Sequence, residues 1–428
     1  MADAFSNRIR RVVTALKGRP HRTALLLSSA TPVIRSRDTH YPFRQNSDFY
    51  YLTGSEARDT LLLLVAGRKR PLVIAPKIDR VKIVWEGAPL ESAERLATRL
   101  GADLIRSADP SRVVTQELRG IEELAYQNTP GSSGWAIARR IIETGSHLRG
   151  ALPVRFSHTD SILEALRLYK EPGEVELIRG AAAVTNRALV ETMPFVLAGQ
   201  AESTIAATID YWFRLHGAVP GFNTIAATGP SAATLHYEHQ SRVLKDGDLL
   251  LIDCGAERQM YSADITRVVP VGGIFRGATR EVYEIVLAAQ KAALKTVRHN
   301  VLIQKVYDAA AHEITVGLVE LGVLKGKVSA LMAQKAYKPY FSHGIGHSLG
   351  LDVHDVGNLR GNNAASLKTG MVFTIEPGLY FPKKIKNVPA CGVRIEDDVL
   401  VTARKAEILS LGFPKEVRDI EELLNQSA

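Results

Sequence analysis

The 428-residue chain is 46% hydrophobic and 23% charged, which suits a soluble globular protein of about two to three domains, and no apolar run is long enough to cross a bilayer. Its two cysteines, Cys254 and Cys391, exclude a disulfide framework and a thiolate metal cluster and point to a reducing, cytoplasmic setting. The net charge of +9 invites a nucleic-acid role, but Lys and Arg are scattered and no basic stripe interleaves with aromatics, so neither nucleic acid nor membrane is an expected partner.

From Ala4 to Arg37 the chain has no acidic residue, a bias shared by transit peptides and basic surface helices. Ile9, Val12, Val13 and Leu16 follow the i, i+3, i+4, i+7 rule and no continuous apolar stretch accompanies them, which favours a helix of the first domain. TALLLSS, TLLLLVAG and PLVIAP then read as buried strands, and ESAERLATRLGA and SGWAIARRIIETGSHL as amphipathic helices. The pattern predicts an α/β domain with a mixed or parallel sheet over residues 1–162.

A second domain, 163–428, opens with EALRLYKEPGEVELIRGAAAVTNRALVETM, where Pro172 suits the first turn of a long helix. Further helices are read at ESTIAATIDYWFRLHG, ATREVYEIVLAAQKAAL and VYDAAAHEITVGLVELG. Strands are read at FNTIAAT, LLLIDCGAE, YSADITRVVPV, MVFTIEPGLYF and GVRIEDDVLVT. Helices and strands come in groups, so an α+β domain around an antiparallel sheet is expected.

Four stretches of the second domain carry chemistry. In LLLIDCGAERQMYSADITRV, a hairpin centred on Arg258 and Gln259 would set Asp253 directly opposite Asp264, about 4.5–5.5 Å apart at Cβ. Two facing carboxylates in apolar surroundings need a proton or a cation between them; on an exposed hairpin they would simply be solvated. Glu376 ends the apolar run MVFTI just before Pro377 and Gly378, where it either faces a cleft or caps a neighbouring backbone. In GVRIEDDVLVT, alternation sends Arg394 and Glu396 to one face, as site residues or as a plain salt bridge, and Asp397 and Asp398 are expected to mark a bend and face water. Finally, FSHGIGHSLGLDVHDVG places His343, His347 and His354 in a loop, since Gly344, Gly346 and Gly350 oppose a helix. The HExxH zinc pattern is absent. Three imidazoles beside four carboxylates favour a metal site. Four carboxylates with one imidazole form a hard donor set that suits Mn²⁺ and holds enough charge for two ions, leaving two imidazoles for substrate. His236, in ATGPSAATLHYEHQ, is uninformative alone.

Together these stretches closely resemble the aminopeptidase P branch of the pita-bread metallopeptidases, a group that also includes prolidases and methionine aminopeptidases. The resemblance runs through DCGAERQMYSADITR, HGIGHSLGLDVHDVG, IEPGLY and VRIEDD. It implies an α/β N-terminal domain plus an α+β pita-bread catalytic domain with a curved antiparallel sheet. It assigns Asp253, Asp264, His347, Glu376 and Glu396 as ligands of two divalent ions, usually Mn²⁺ with Zn²⁺ or Co²⁺ as alternatives, with Asp264 and Glu396 bridging. It places His236, His343 and His354 around the substrate and Arg394 in support of the site. YPFRQNSDFYYLTG (residues 41–54) resembles the aminopeptidase P N-terminal signature and sets methionine aminopeptidases aside. The implied activity is removal of the N-terminal residue from peptides with proline second, by a metal-bridging hydroxide with Glu376 as proton shuttle and His354 at the oxyanion. The alternative is a prolidase, which cleaves Xaa-Pro dipeptides with the same site. The resemblance also implies a homodimer or homotetramer. A silent scaffold protein of this fold would be expected to lack ligand positions, and here all five are present. Three departures from the family pattern stand out: His299-Asn300 in place of Pro-Gly, GSEARD at 54–59, and a short segment between Glu376 and Glu396.

Overall fold

The computed structural model describes residues 2–78, 80–87, 91–145, 152–357, 359 and 365–427. It divides into two compact units, Met1–Arg167 and Leu168–Ala428.

In the first unit a six-stranded sheet runs in the order Asp103–Ser107, Leu72–Pro76, Leu61–Val65, Thr23–Ser28, Glu123–Tyr126, Arg155–His158. It is mixed: the two pairings made by Leu61–Val65 are antiparallel and the other three are parallel. Thr23–Ser28 is buried along its whole length because helices Ala2–Lys17 and Ser133–Gly145 both pack on it, which is why TALLLS reads as an unbroken apolar run. Helix Ala2–Lys17 buries Ile9, Val12 and Leu16, the stripe read from the sequence, while Val13 is half-buried. The last three residues of SGWAIARRIIETGSHL lie outside the described residues.

The 41–54 stretch builds a polar brace. Asn46 caps helix Ser47–Thr53 by accepting from the Phe49 N–H at 3.0 Å. Buried Gln45 accepts from the N–H groups of Ala30 and Asn46 and donates to the carbonyls of Ser55 and Ala57. Asp48 pairs with Arg167 at 2.7 Å and accepts from the Thr159 hydroxyl at 2.9 Å. Those residues serve the packing of this unit. The unit also carries the chain's excess charge, with 26 Lys and Arg against 17 Asp and Glu, whereas the second unit is balanced at 28 against 28.

The second unit is α+β, as expected. Helix Pro172–Thr192 starts with Pro in its first turn and a capping box between Glu171 and Glu174. Helices Gly277–Thr296 and Ile303–Glu320 pack against each other, and both contribute to a single large apolar core. The strands of the catalytic segments pair antiparallel throughout: Ile225–Thr228, Leu249–Cys254 and Ile265–Pro270 in one sheet, Val372–Ile375, Asp397–Val401 and Ala406–Ile408 in another, and Gly378–Phe381 with Cys391–Arg394. His299-Asn300 is a tight turn in which Asn300 has φ 65°, a left-handed conformation that Asn tolerates better than most residues with a side chain.

Two runs that read as single strands are each broken in two. MVFTIEPGLYF splits around Glu376 and Pro377, and GVRIEDDVLVT splits around Ile395 and Glu396. The pairing register nevertheless continues across the gap, from Ile375↔Asp397 to Gly378↔Arg394, so Glu376 and Glu396 occupy opposite positions in the interruption.

Candidate active site

The hairpin carrying the two aspartates turns one residue later than the sequence reading placed it. Arg258 pairs with Tyr261 around Gln259 and Met260, which have φ of 51° and 69°, the double left-handed conformation of a tight hairpin turn. The register therefore sets Asp253 opposite Thr266, not opposite Asp264. Asp264 precedes strand Ile265–Pro270 by one residue, on the Thr266 side of the pleat by alternation. Neither carboxylate is solvated: Asp253 is 8% and Asp264 5% exposed.

The histidine loop is fastened edge-on to strand Val372–Ile375. His347 N–H donates to Thr374 Oγ1 at 3.0 Å, Thr374 N–H to the His347 carbonyl at 2.9 Å, and Glu376 N–H to the Ile345 carbonyl at 2.8 Å. That approach needs glycine at 346, where a Cβ would sit 1.8 Å from the Thr374 carbonyl oxygen. The His347 ring is thereby aimed inward. Its Nδ1 lies 3.1 Å from the Ser348 carbonyl, which can only accept, so Nδ1 carries the proton and Nε2 offers its lone pair. Nε2 is 3.3 Å from Asp264 Oδ2 and 3.7 Å from Glu376 Oε1.

One donor atom from each of Asp264, His347 and Glu396 lies within 4.8 Å of the others, and all three side chains are buried. Burial, and then the charges of Asp253, Asp398 and Glu376, push the Asp264 carboxyl well above the usual range; burial, followed by Asp264, Glu376 and Asp253, does the same to Glu396. Asp253 Oδ1 is buried without a hydrogen-bond partner among the described residues. An unsatisfied buried oxygen, two carboxyls that resist ionisation and an imidazole lone pair facing carboxylates have one common remedy, a cation. The donors, oxygen with a single imidazole, fit a divalent metal.

Arg394 braces this cluster. It donates through Nη2 to Asp253 Oδ2 at 2.5 Å, through Nε to Thr266 Oγ1 at 3.0 Å and through Nη1 to the Tyr380 hydroxyl at 3.2 Å. The Thr266 hydroxyl in turn donates to Glu396 Oε2 at 2.6 Å. Tyr380, accepting from Arg394, donates to His343 Nε2 at 2.8 Å, which leaves His343 Nδ1 to donate to the Gly344 carbonyl at 2.9 Å. Burial pushes the Tyr380 hydroxyl up to about 12, so it stays a donor at neutral pH. The strand carrying Arg394 is held close to the segment Gly229–Ala233, where a Cβ on Gly392 would come 1.9 Å from the Ala232 carbonyl oxygen.

His354 lies beside His347, ring centroids 4.2 Å apart, and is an exposed residue. His236 sits exposed just beyond the Gly229–Ala233 turn, and among the described residues none of the site contacts given above involves it.

The reading of Asp397 and Asp398 as a solvent-facing bend is wrong. Both are fully buried. Asp398 accepts the Asp264 backbone N–H through both carboxylate oxygens at 3.2 and 3.3 Å. Asp397 pairs with Arg267 at 2.7 Å and with Lys415, and accepts from Gln290 and Ser410. Arg267 in turn donates to the Glu396 carbonyl at 2.5 Å. Thr266, Tyr380, Arg267 and the two aspartates were all missed from sequence. Only Thr266 left a signal, being two residues from Asp264 and so on the same face of a strand.

The fold and this cluster define a two-domain metallopeptidase. Residues 176–403 match the model for metallopeptidase family M24 and residues 5–123 match that for the aminopeptidase P N-terminal domain. The chain belongs to metallopeptidase family M24. It is 37% identical to the Xaa-Pro aminopeptidase of Haemophilus influenzae over 416 residues, covering 94% of this chain and 93% of that one. Escherichia coli aminopeptidase P, solved with the inhibitor Pro-Leu, superposes with a TM-score of 0.93 at 32% identity, covering all of this chain and 99% of that one. A zinc-substituted form of the same E. coli protein, solved with product, gives the same values.

Proposed function

We propose that this chain is a metal-dependent aminopeptidase that removes the N-terminal residue from peptides whose second residue is proline. The observation that carries the reading is the buried meeting of Asp264, His347 and Glu396, with Asp253 and Glu376 beside them. Asp253, Asp264, His347, Glu376 and Glu396 would hold two divalent ions, and the hard donor set favours Mn²⁺ over Zn²⁺ or Co²⁺. When bound, such ions supply Lewis-acid activation of water near neutral pH.

The chain's own groups do the rest. Glu376, at a strand break, takes a proton from the attacking water and delivers it to the proline nitrogen, whose tertiary amide has no N–H and must be protonated to leave. His354, open to solvent beside His347, donates to the oxyanion that develops on the carbonyl of the first residue. His343, fixed by Tyr380, lines the proline side of the pocket with His236, and Arg394 keeps Asp253 oriented. We further propose a cytoplasmic homodimer or homotetramer. Among the described residues no helix is long and apolar enough to cross a membrane.

The test is a parallel assay of Mn²⁺-loaded protein on Xaa-Pro-Yaa tripeptides and Xaa-Pro dipeptides, with metal content measured on the same sample. Tripeptide cleavage with release of the first residue is expected; activity confined to dipeptides would make the chain a prolidase.

A further inference from the structure

We propose that a rim of lysines beside the proline-side pocket makes the enzyme prefer peptides with acidic residues on the C-terminal side of proline. The inference rests on the aminopeptidase reading and concerns which of its substrates bind best.

Two stretches of the second unit contain no acidic residue at all. Residues 321–351 hold four lysines, and residues 377–395 hold Lys383, Lys384, Lys386 and Arg394. In a unit whose charges otherwise balance at 28 and 28, this is a local excess. The two stretches meet in space. The Tyr380 N–H donates to the Tyr340 carbonyl at 3.0 Å, the rings of Tyr340 and Phe381 lie 5.5 Å apart, and Lys386 Nζ donates to the Gly322 carbonyl.

Both stretches also border His343. His343 belongs to the first of them: buried Phe341 meets its ring edge-on at 5.1 Å and stacks on Tyr307 at 5.2 Å, and the Lys338 ammonium, 4.8 Å from the Tyr307 ring, adds to the local charge from beyond these packed rings. From the other side, Tyr380 is bonded to His343, and Lys383 and Lys384 follow three and four residues later on an exposed hairpin. Burial, and then the charge of Lys335, hold the Lys338 ammonium below the ordinary lysine range, in keeping with crowded positive charge. An extended peptide advances about 3.3 Å per residue, so a chain leaving the pocket past His343 toward this hairpin would come level with Lys383 and Lys384 about two to four residues beyond proline.

Exposed charges a Debye length apart are screened within about 8 Å at physiological salt, so the effect belongs to binding and grows as salt falls. The experiment compares the C-terminally amidated peptides Ala-Pro-Ala-Ala-Ala, Ala-Pro-Ala-Glu-Glu and Ala-Pro-Ala-Lys-Lys on metal-loaded enzyme at low and high ionic strength, for the wild type and the surface variant Lys383→Glu/Lys384→Glu. We expect KM for the Glu peptide to be about five-fold below that of the neutral one at low salt, with kcat unchanged, since charge acting on ground state and transition state alike moves KM alone. The Lys peptide should be disfavoured, high salt should remove the difference, and the variant should invert the order while cleaving the neutral peptide normally. A charge-blind KM at low salt, or a variant with the wild-type order, overturns the rim. Failure to cleave even the amidated Ala-Pro-Ala-Ala-Ala would instead overturn the peptidase reading.

Discussion

Glu376 and Glu396 stand opposite each other where an antiparallel ladder is interrupted, paired strands continuing in unbroken register on both sides. Opposite residues of such a ladder point to the same face, so the fold brings two carboxylates together where their backbone can no longer exchange the regular hydrogen bonds. Asp264 lies at a comparable interruption of its own hairpin, between the pairs Cys254↔Ile265 and Glu257↔Ser262, and Asp253 stands in the ladder just before it, opposite Thr266. The site is therefore made of two broken hairpins and one histidine loop.

Such a site is strained by its own charge when empty of cations. Chelation should lower the melting temperature by several degrees, and Mn²⁺ should restore it, because a ligand that binds only the folded state stabilises it by mass action. Metal analysis of the restored sample should approach two ions per chain. A plateau at one would reject the two-ion site.

Glu376→Gln removes the proton carrier and keeps the shape. A fall in kcat of about 100-fold or more is expected with KM little changed. Wild-type turnover at full metal loading would remove Glu376 from the shuttle role.

Arg394→Lys keeps a charge but loses the planar fork that serves Asp253, Thr266 and Tyr380 together. Metal affinity should drop by about 10- to 100-fold, read by competition with a chelator, the range seen when groups that orient metal ligands are replaced. Unchanged affinity would mean that Asp253 is oriented by something else.

Arg267 and then Lys415 outweigh burial and hold the Asp397 carboxyl at about 2, below its ordinary 3.8. A depressed carboxyl contributes stability that is complete above its unfolded pKa and lost as pH falls through the folded one. The wild type should thus lose on the order of 2 kcal/mol between pH of about 4 and 2 through this group. In Asp397→Asn, denaturant titrations should lack that acid limb and show lower stability at neutral pH, since Arg267 is left buried without its partner. Parallel pH curves for the two proteins would contradict the assignment.

Gly346→Ala forces a methyl group against the Thr374 carbonyl oxygen, 1.8 Å away before relaxation. A loss of about 1–3 kcal/mol is expected from overpacking, with weaker metal binding because His347 moves with the loop. A protein as stable and as well loaded as the wild type would show the loop to be slack.

Sequence patterns carried some of this and not the rest. The buried strand runs, the helix opened by Pro172, the loop character of residues 341–357 and the placing of Glu376 at a strand end were all legible, because each depends on local periodicity or on a helix breaker. The hairpin centre was off by one residue, because Gln259 and Met260 carry no glycine to advertise their left-handed conformation. Asp397 and Asp398 were misread because two adjacent acids look like a solvated bend, and their partners Arg267, Lys415 and the Asp264 backbone lie 18 to 134 positions away in the chain.

Composition and spacing, then, pointed by themselves to an α/β unit followed by an α+β unit, with candidate carboxylates and a histidine-rich loop in the second, since residue type and local period need no partner to be read. Which oxygens meet, which arginine holds them and which aspartates are sealed from water were decided only by folding. Those facts depend on strand register and on contacts between segments more than a hundred residues apart, where a shift of one or two positions sends a different side chain into the site.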